Sequence, residues 1–154
     1  NLTLAGNLTD EVLKEELTTE PGWKQVDLLG WVDRQQVVET MEKSVAGLSL
    51  YYPTATNYYA IPTKMFEYMM AGIPVIASNL PYESEIISKH HCGICVDPFS
   101  PEQIAEAMNW ILDNPKEAEQ MGLNGRRAVE TEYNWKTEEL KLLSLYRDLL
   151  NSAK

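Results

Sequence analysis

Cations are scarce in this chain. It carries 13 Lys and Arg against 23 Asp and Glu, a formal net charge of −10. Broad non-specific binding to nucleic acid rests on phosphate neutralisation by many basic side chains, so the balance counts against that class. It is compatible with one anionic ligand held by a local basic residue and a helix N-terminus. The acidic residues fall mostly on expected helices and read as solvated faces. Long apolar runs are missing too, and none approaches the ~18–20 residues needed to span a bilayer. The opening stretch, "NLTLAGNLTDEV", has neither the charged n-region nor the apolar stretch of a secretory leader. It begins in the middle of what reads as a strand, which leads us to expect a piece of a longer protein.

Cysteine is limited to Cys92 and Cys95, in "HHCGICVD". C-x-x-C suggests metal or redox chemistry, but no second Cys or His pair exists to close a zinc site. His90 and His91 are adjacent, and consecutive side chains on an extended segment point opposite ways. Redox motifs usually open a helix, whereas "GICVDP" reads as a short buried strand. Both cysteines are therefore read as structural thiols, whose reduced state fits a cytoplasmic chain. What remains is ordinary. With 154 residues, 44% hydrophobic and 23% charged, the chain has the make-up of one folded domain with a real core.

Strands and helices alternate along it. "NLTLAG" reads as a strand, and Asp10 caps a helix "EVLKEELT" with apolar positions Val12, Leu13 and Leu17. "QVDLLGW" is the next strand, and Asp33 caps "RQQVVETMEKS". "AGLSLYYP" is nearly continuous in apolar residues, as a strand buried on both faces should be. A long loop at 52–62 leads to a helix at 62–71, then the strand "IPVIAS", the helix "YESEIISK", the strand "GICVDP" and the helix "PEQIAEAMNWILDN". Two more helices follow. Gly122 and Gly125 in the first of them suggest a break or a helix–helix joint. The last carries Trp135, Leu142, Leu143, Tyr146, Leu149 and Leu150 along one stripe. This alternation implies an α/β fold with a mainly parallel sheet covered on both faces and right-handed crossovers. Ligands in such sheets bind at the carboxyl ends of strands, which directs attention to 6–9, 29–33, 52–62, 78–82 and 97–100.

The run "AIPTKMFEYMMAGIPVIAS" holds the densest signal. Phe66, Met69 and Met70 fall at i, i+3 and i+4 and define the expected core stripe. Lys64, Glu67, Tyr68 and Ala71 form a second face. Pro62 suits the first turn, and Gly72 suits the end. The free N–H groups of that first turn, with Thr63 and the ammonium of Lys64, would form an anion site suited to phosphate. Glu67, one turn deeper, could accept two hydroxyls from a vicinal diol such as a ribose. A surface ion pair between Lys64 and Glu67 at i, i+3 spacing is the plainer alternative.

The stretch "IPTKMFEYMMAGIPVIAS", with "LPYESEII", "CGICVDP", "PEQIAEAMNWIL", "MGLNGRRAV" and "YNW", closely resembles the C-terminal half of retaining GT-B glycosyltransferases of group 1. The resemblance runs from the "LTLAG" strand and "LLGWV" to the final helix. It implies a Rossmann-like, three-layer α/β/α domain over residues 1–154 that holds the nucleotide of a sugar donor. The helix at 133–151 would then pack on an acceptor domain outside this chain. By the same resemblance Glu67 matches the ribose-binding glutamate of the family's E-x7-E motif, and Thr63 and Lys64 lie by the diphosphate. Trp31, Val32 and Asp33 correspond to the segment lining the base. The first glutamate of E-x7-E, which usually contacts the donor sugar, is replaced here by Tyr59. Asn57, Tyr58 and Tyr59 become the candidate donor-sugar contacts.

The family often uses UDP- or GDP-sugars as substrates, with no cofactor and no metal, and this chain has no Asp-x-Asp metal pair. Charge develops on the departing diphosphate in the retaining mechanism, so preorganised cations carry much of the stabilisation. The family's further basic residues commonly lie just before this chain's start. The 154-residue piece is thus expected to bind nucleotide weakly and to turn nothing over. The longer protein is expected in the cytoplasm, with the inner face of the membrane as an alternative, building cell-envelope polysaccharide. Among the remaining residues, Ser78, Asn79 and Glu83 could face the cleft, with helix capping by Ser78 or Asn79 as the plainer role. Asp97 is expected in a turn, and Trp135 as a packing anchor. Part of the Leu142–Leu150 stripe is expected to be exposed, which would favour self-association. Two rivals stand beside the transferase: a non-catalytic nucleotide- or partner-binding module of the same fold, and a flavodoxin-like signalling domain. Gly6-Asn7, where a phospho-receiver needs acidic residues, counts against the last.

Overall fold

The computed structural model describes residues 1–152. It divides into two compact units, Asn1–Lys43 and Ser44–Lys154. In the first, strand β1 (Leu2–Ala5) runs parallel to β2 (Val26–Gly30). Helix α1 (Glu11–Thr19) starts where the Asp10 carboxylate accepts from the amides of Val12 and Leu13 at 3.0 and 3.1 Å. Helix α2 (Arg34–Glu42) starts with a full capping box. The Asp33 side chain accepts from the Gln36 amide at 2.9 Å, and the Gln36 side chain accepts from the Asp33 amide at 2.9 Å.

The second unit is a three-stranded parallel sheet in the order β3-β4-β5, formed by Gly47–Ser49, Val75–Ser78 and Gly93–Val96. Helices α3 (Thr63–Ala71), α4 (Pro81–His90), α5 (Pro101–Asp113) and α6 (Pro115–Thr131) surround it, and α7 (Trp135–Ser152) closes the chain. Side chains alternate across a strand, and β4 shows it directly. Val75 and Ala77 join Met65, Met69, Ile86, Ile87, Cys92 and Ala128 in one core cluster, whereas Ile76 joins Val96, Ala107, Ile111 and Ala118 in another. Both faces of the sheet are therefore covered, as its continuous apolar strand requires.

Gly122 and Gly125 are a joint between helices, since α6 is continuous through both. A Cβ on Gly122 would stand 1.9 Å from the carbonyl oxygen of Gly72, and one on Gly125 would stand 3.2 Å from the Met69 side chain. The absence of side chains lets α6 close on the end of α3. Gly72 itself ends α3 in the left-handed region at φ 77°.

Three expectations need correction. The third strand stops at Ser49 rather than continuing through "LYYP". Beyond it, the Tyr51 backbone bonds to the Ser78 side chain in place of a ladder partner. The core stripe of α3 is rotated by one residue. Met65 and Met69 are fully buried, whereas Phe66 is half-buried and Met70 is 47% exposed. The close approach of α6 at Met69 and Gly72 sets that rotation. Trp135 is no anchor, being 70% exposed. Asn134 organises the turn instead, its side-chain oxygen accepting from the Thr137 amide at 3.0 Å. The side chains of α7 are exposed from Glu138 onward, including the Leu142–Leu150 stripe. Among the described residues no helix is long and apolar enough to cross a membrane.

Candidate functional site

The loop between β3 and α3 lies at the carboxyl ends of the strands, and it is pinned at several points. Ser78, the last residue of β4, is fully buried. Its hydroxyl accepts from the Tyr51 amide at 2.7 Å and donates to the Tyr51 carbonyl at 2.9 Å. Tyr52 stacks on Phe99 with ring centroids 4.8 Å apart, tying the loop to the segment after β5. The Asn57 side-chain amide donates to the Tyr52 carbonyl at 3.1 Å, and the Asn57 backbone amide donates to the Thr54 hydroxyl at 3.2 Å. A short 3-10 turn then covers Asn57–Tyr59, and α4 packs against it.

Pro62 is buried at the start of α3, and no side chain caps the helix. The amides of Thr63 and Lys64 therefore keep the donor capacity that a cap would take up. The ammonium of Lys64 sits 4.5 Å from the centroid of the Tyr51 ring. Such a cation–π contact is worth roughly 0.5–1 kcal/mol where partly solvated, enough to bias the side chain toward the loop. Lys64 thus stands in the first turn, where the helix dipole already favours negative charge. Glu67 follows one turn later and is half-buried.

A cleft of about 180 Å³ opens beside this helix end, lined by Tyr51, Asn57, Ala60, Ile61, Pro62, Thr63 and Glu83. Glu83 is the member that sequence reasoning only glimpsed. Its side chain lies in the first turn of α4 but is 1% exposed, and its Oε2 has no hydrogen-bond partner. Burial raises the pKa of its carboxyl, and a hydrogen bond from its own backbone amide offsets this in part. Neither Ser78 nor Asn79 caps α4. Leu80 holds the N-cap position without a side-chain bond, Ser78 is committed to Tyr51, and the Asn79 amide donates to the Val96 carbonyl at 2.9 Å.

The structure thus gathers Asn57, Thr63 and Glu83 on one cleft, with Lys64 in the same first turn as Thr63. Tyr58 and Tyr59 meet edge to face at 5.1 Å, but Tyr59 is 83% exposed and does not line the cleft. Trp31, Val32 and Asp33 belong to the Asn1–Lys43 unit. There Trp31 is 75% exposed, Val32 is half-buried and Asp33 is engaged in its capping box. Asp97 takes the turn role expected of it, accepting from the Phe99 amide at 2.9 Å.

The cysteine pair behaves as packing. Both thiols are free, Cys92 is buried in the core, and burial pushes its pKa up to about 11. Burial also raises Cys95, against a hydrogen bond with Ser84. Among the described residues no group of three His, Cys, Asp or Glu side chains is placed to hold a metal ion.

Comparison with known proteins bears on the family and the fold. The family "Glycosyl transferases group 1" matches residues 1–128. The D-rhamnosyltransferase WbpZ of Pseudomonas aeruginosa is 31% identical over 104 residues, which are 67% of this chain and 26% of that protein. Among solved structures, sucrose-phosphate synthase from Thermosynechococcus elongatus superposes with a TM-score of 0.81 at 24% identity. The match covers 98% of this chain and 39% of that one. Anabaena HepE, solved in complex with UDP, superposes with a TM-score of 0.78 at 18% identity, covering 95% of this chain and 40% of that one. The chain spans about a quarter of the length of the curated relatives it matches. Its parallel α/β architecture is the Rossmann-like half of a GT-B glycosyltransferase fold, and the chain belongs to the group 1 glycosyltransferase family.

Proposed function

We propose that this chain is the donor-binding half of a retaining glycosyltransferase that moves a sugar from a nucleoside diphosphate to an acceptor. The uncapped first turn of α3 carries this reading, with Lys64 held beside it and the turn opening at the carboxyl ends of β3 and β4. Backbone donors, a helix dipole and a fixed cation together suit a diphosphate, and they suit it without a metal. Thr63 and Lys64 take the diphosphate, and Glu67 takes the ribose hydroxyls. The Asn57–Tyr59 turn lies toward the donor sugar. The UDP complex of HepE and the naming of WbpZ as a D-rhamnosyltransferase support a nucleotide-sugar donor, and the similarity to WaaG, a glycosyltransferase involved in lipopolysaccharide biosynthesis, supports a role in polysaccharide assembly. The exposed stripe of α7 is assigned to an acceptor domain outside this chain, and the complete protein to the cytoplasm, with the inner face of the membrane as the alternative.

One observation favours a second reading. Where the family's first glutamate is expected, Tyr59 turns its ring to solvent, so position 59 offers the sugar no carboxylate. A module that binds nucleotide without transferring sugar would look the same there.

Calorimetric titration with UDP, GDP and ADP tests the donor-site reading. One of the three should bind, and Glu67→Ala should weaken it by about tenfold or more, the scale of a lost hydrogen bond to a charged group. Equal binding by Glu67→Ala would remove the ribose assignment. Sugar transfer by the 154-residue chain alone would refute the need for further cations and an acceptor domain.

A further inference from the structure

Helix α4 holds a carboxylate with one oxygen that the fold itself does not use. Glu83 is 1% exposed, and its Oε2 is without a partner. An unsatisfied buried carboxylate oxygen destabilises a fold, and on the same helix the buried neighbours Ile86 and Ile87 are apolar. A buried polar group without a partner calls for a specific explanation, and this one lines an open cleft.

The chemistry of that cleft narrows the ligand. At about 180 Å³ it is smaller than the ~300–1,000 Å³ of whole-ligand pockets, so it would hold one part of a larger molecule. An ionised carboxylate only accepts hydrogen bonds, and it repels phosphate. The group that meets Glu83 must therefore be a donor such as a hydroxyl. The Asn57 side-chain amide is already committed to the Tyr52 carbonyl, and the Tyr59 ring is turned outward. Pro62 and Thr63 border the same cleft, so the end of α3 that suits a phosphate lies at its edge.

We infer that Glu83 is the hydroxyl-recognising residue of this cleft, its Oε2 accepting a hydrogen bond from a ring hydroxyl of the sugar carried on the nucleoside diphosphate. The inference rests on the donor-site reading above. It adds a specificity residue at a position where the resemblance places none, and it explains the orphan oxygen as half of a bond completed by the donor.

The test compares UDP with UDP-glucose and GDP with GDP-mannose by calorimetry, on the unaltered chain, Glu83→Gln, Glu83→Leu and Glu67→Ala. Thermal midpoints without ligand are recorded alongside. Glu83→Gln should lower affinity for the nucleotide-sugar by about tenfold while leaving the bare diphosphate within about twofold. Its midpoint, and that of Glu83→Leu where it folds, should not fall. Unchanged affinity for both ligands, an equal loss for both, or a lowered midpoint for Glu83→Gln would overturn the assignment and return Glu83 to a structural role. If the unaltered chain binds no nucleotide, the donor-site reading fails first and this inference fails with it. Weakened binding of the bare diphosphates and the nucleotide-sugars alike in Glu67→Ala would mark that reading as sound whatever Glu83 does.

Discussion

Replacing Ser78 with alanine should loosen the candidate site and the fold together, and the size of the effect follows from two bonds. The Ser78 hydroxyl accepts from the Tyr51 amide at 2.7 Å and donates to the Tyr51 carbonyl at 2.9 Å, from a side chain with no exposure. Alanine removes both and fills the space with a methyl group that satisfies neither backbone group. A bond lost with its partner left unsatisfied costs about 1–3 kcal/mol, and Tyr51 retains some access to water, so the pair should cost about 2–4 kcal/mol. For a chain of 154 residues about 1 kcal/mol moves the thermal midpoint by roughly 3 °C, giving a fall of about 6–12 °C. Circular dichroism on heating reads it. Hydrogen exchange at the Tyr51 amide should accelerate alongside, because that donor is then free. Tyr51 also supports Lys64 through its ring, so nucleotide affinity should drop as well. A midpoint within about 1 °C of the unaltered chain, with Tyr51 still protected, would refute the account of how the loop is held.

Other consequences are as specific. Gly122→Ala gains about 1 kcal/mol of helix propensity, yet its Cβ would meet the Gly72 carbonyl oxygen at 1.9 Å; net destabilisation of about 1–3 kcal/mol in chemical denaturation is expected. Burial raises the carboxyl pKa of Glu83 above its ordinary 4.5. The fold therefore holds that proton more tightly than the unfolded chain does, and the carboxyl's contribution to stability is full below 4.5 and lost as pH rises through the folded value. Glu83→Gln should accordingly gain on the unaltered chain as pH increases from 4 to 7, and a pH-independent difference would contradict this. With its pKa at about 11 and no exposure, Cys92 should resist alkylation at pH 8 until the chain is unfolded, as mass spectrometry would show.

Local signals in the sequence carried furthest. Asp10 and Asp33 announce their helices because an N-cap is chemistry between near neighbours, and both cap as expected. The run "IPVIAS" was legible as a strand, and β4 forms within it at Val75–Ser78. Where apolar residues crowd several faces of one helix, periodicity has less to say. Met65 and Met70 are equally apolar, and the choice between them is made by α6 closing on Met69 and Gly72. Contacts distant in sequence were illegible for the same reason. The early end of β3 depends on Ser78 reaching a backbone 27 positions away. The burial of Glu83 depends on how α4 meets the Asn57–Tyr59 turn. In the sequence Glu83 is one more acidic residue in a helix that carries Glu85 as well.

The central claim is that an anion from the nucleotide sits on the first turn of α3. Amide chemical shifts followed by two-dimensional NMR during titration with UDP and GDP examine that place directly. The account predicts that the Thr63 and Lys64 amides move most, saturating with the same affinity that calorimetry gives, and that Lys64→Ala weakens the response by about tenfold. Saturable binding that leaves the Thr63 and Lys64 amides still would contradict it.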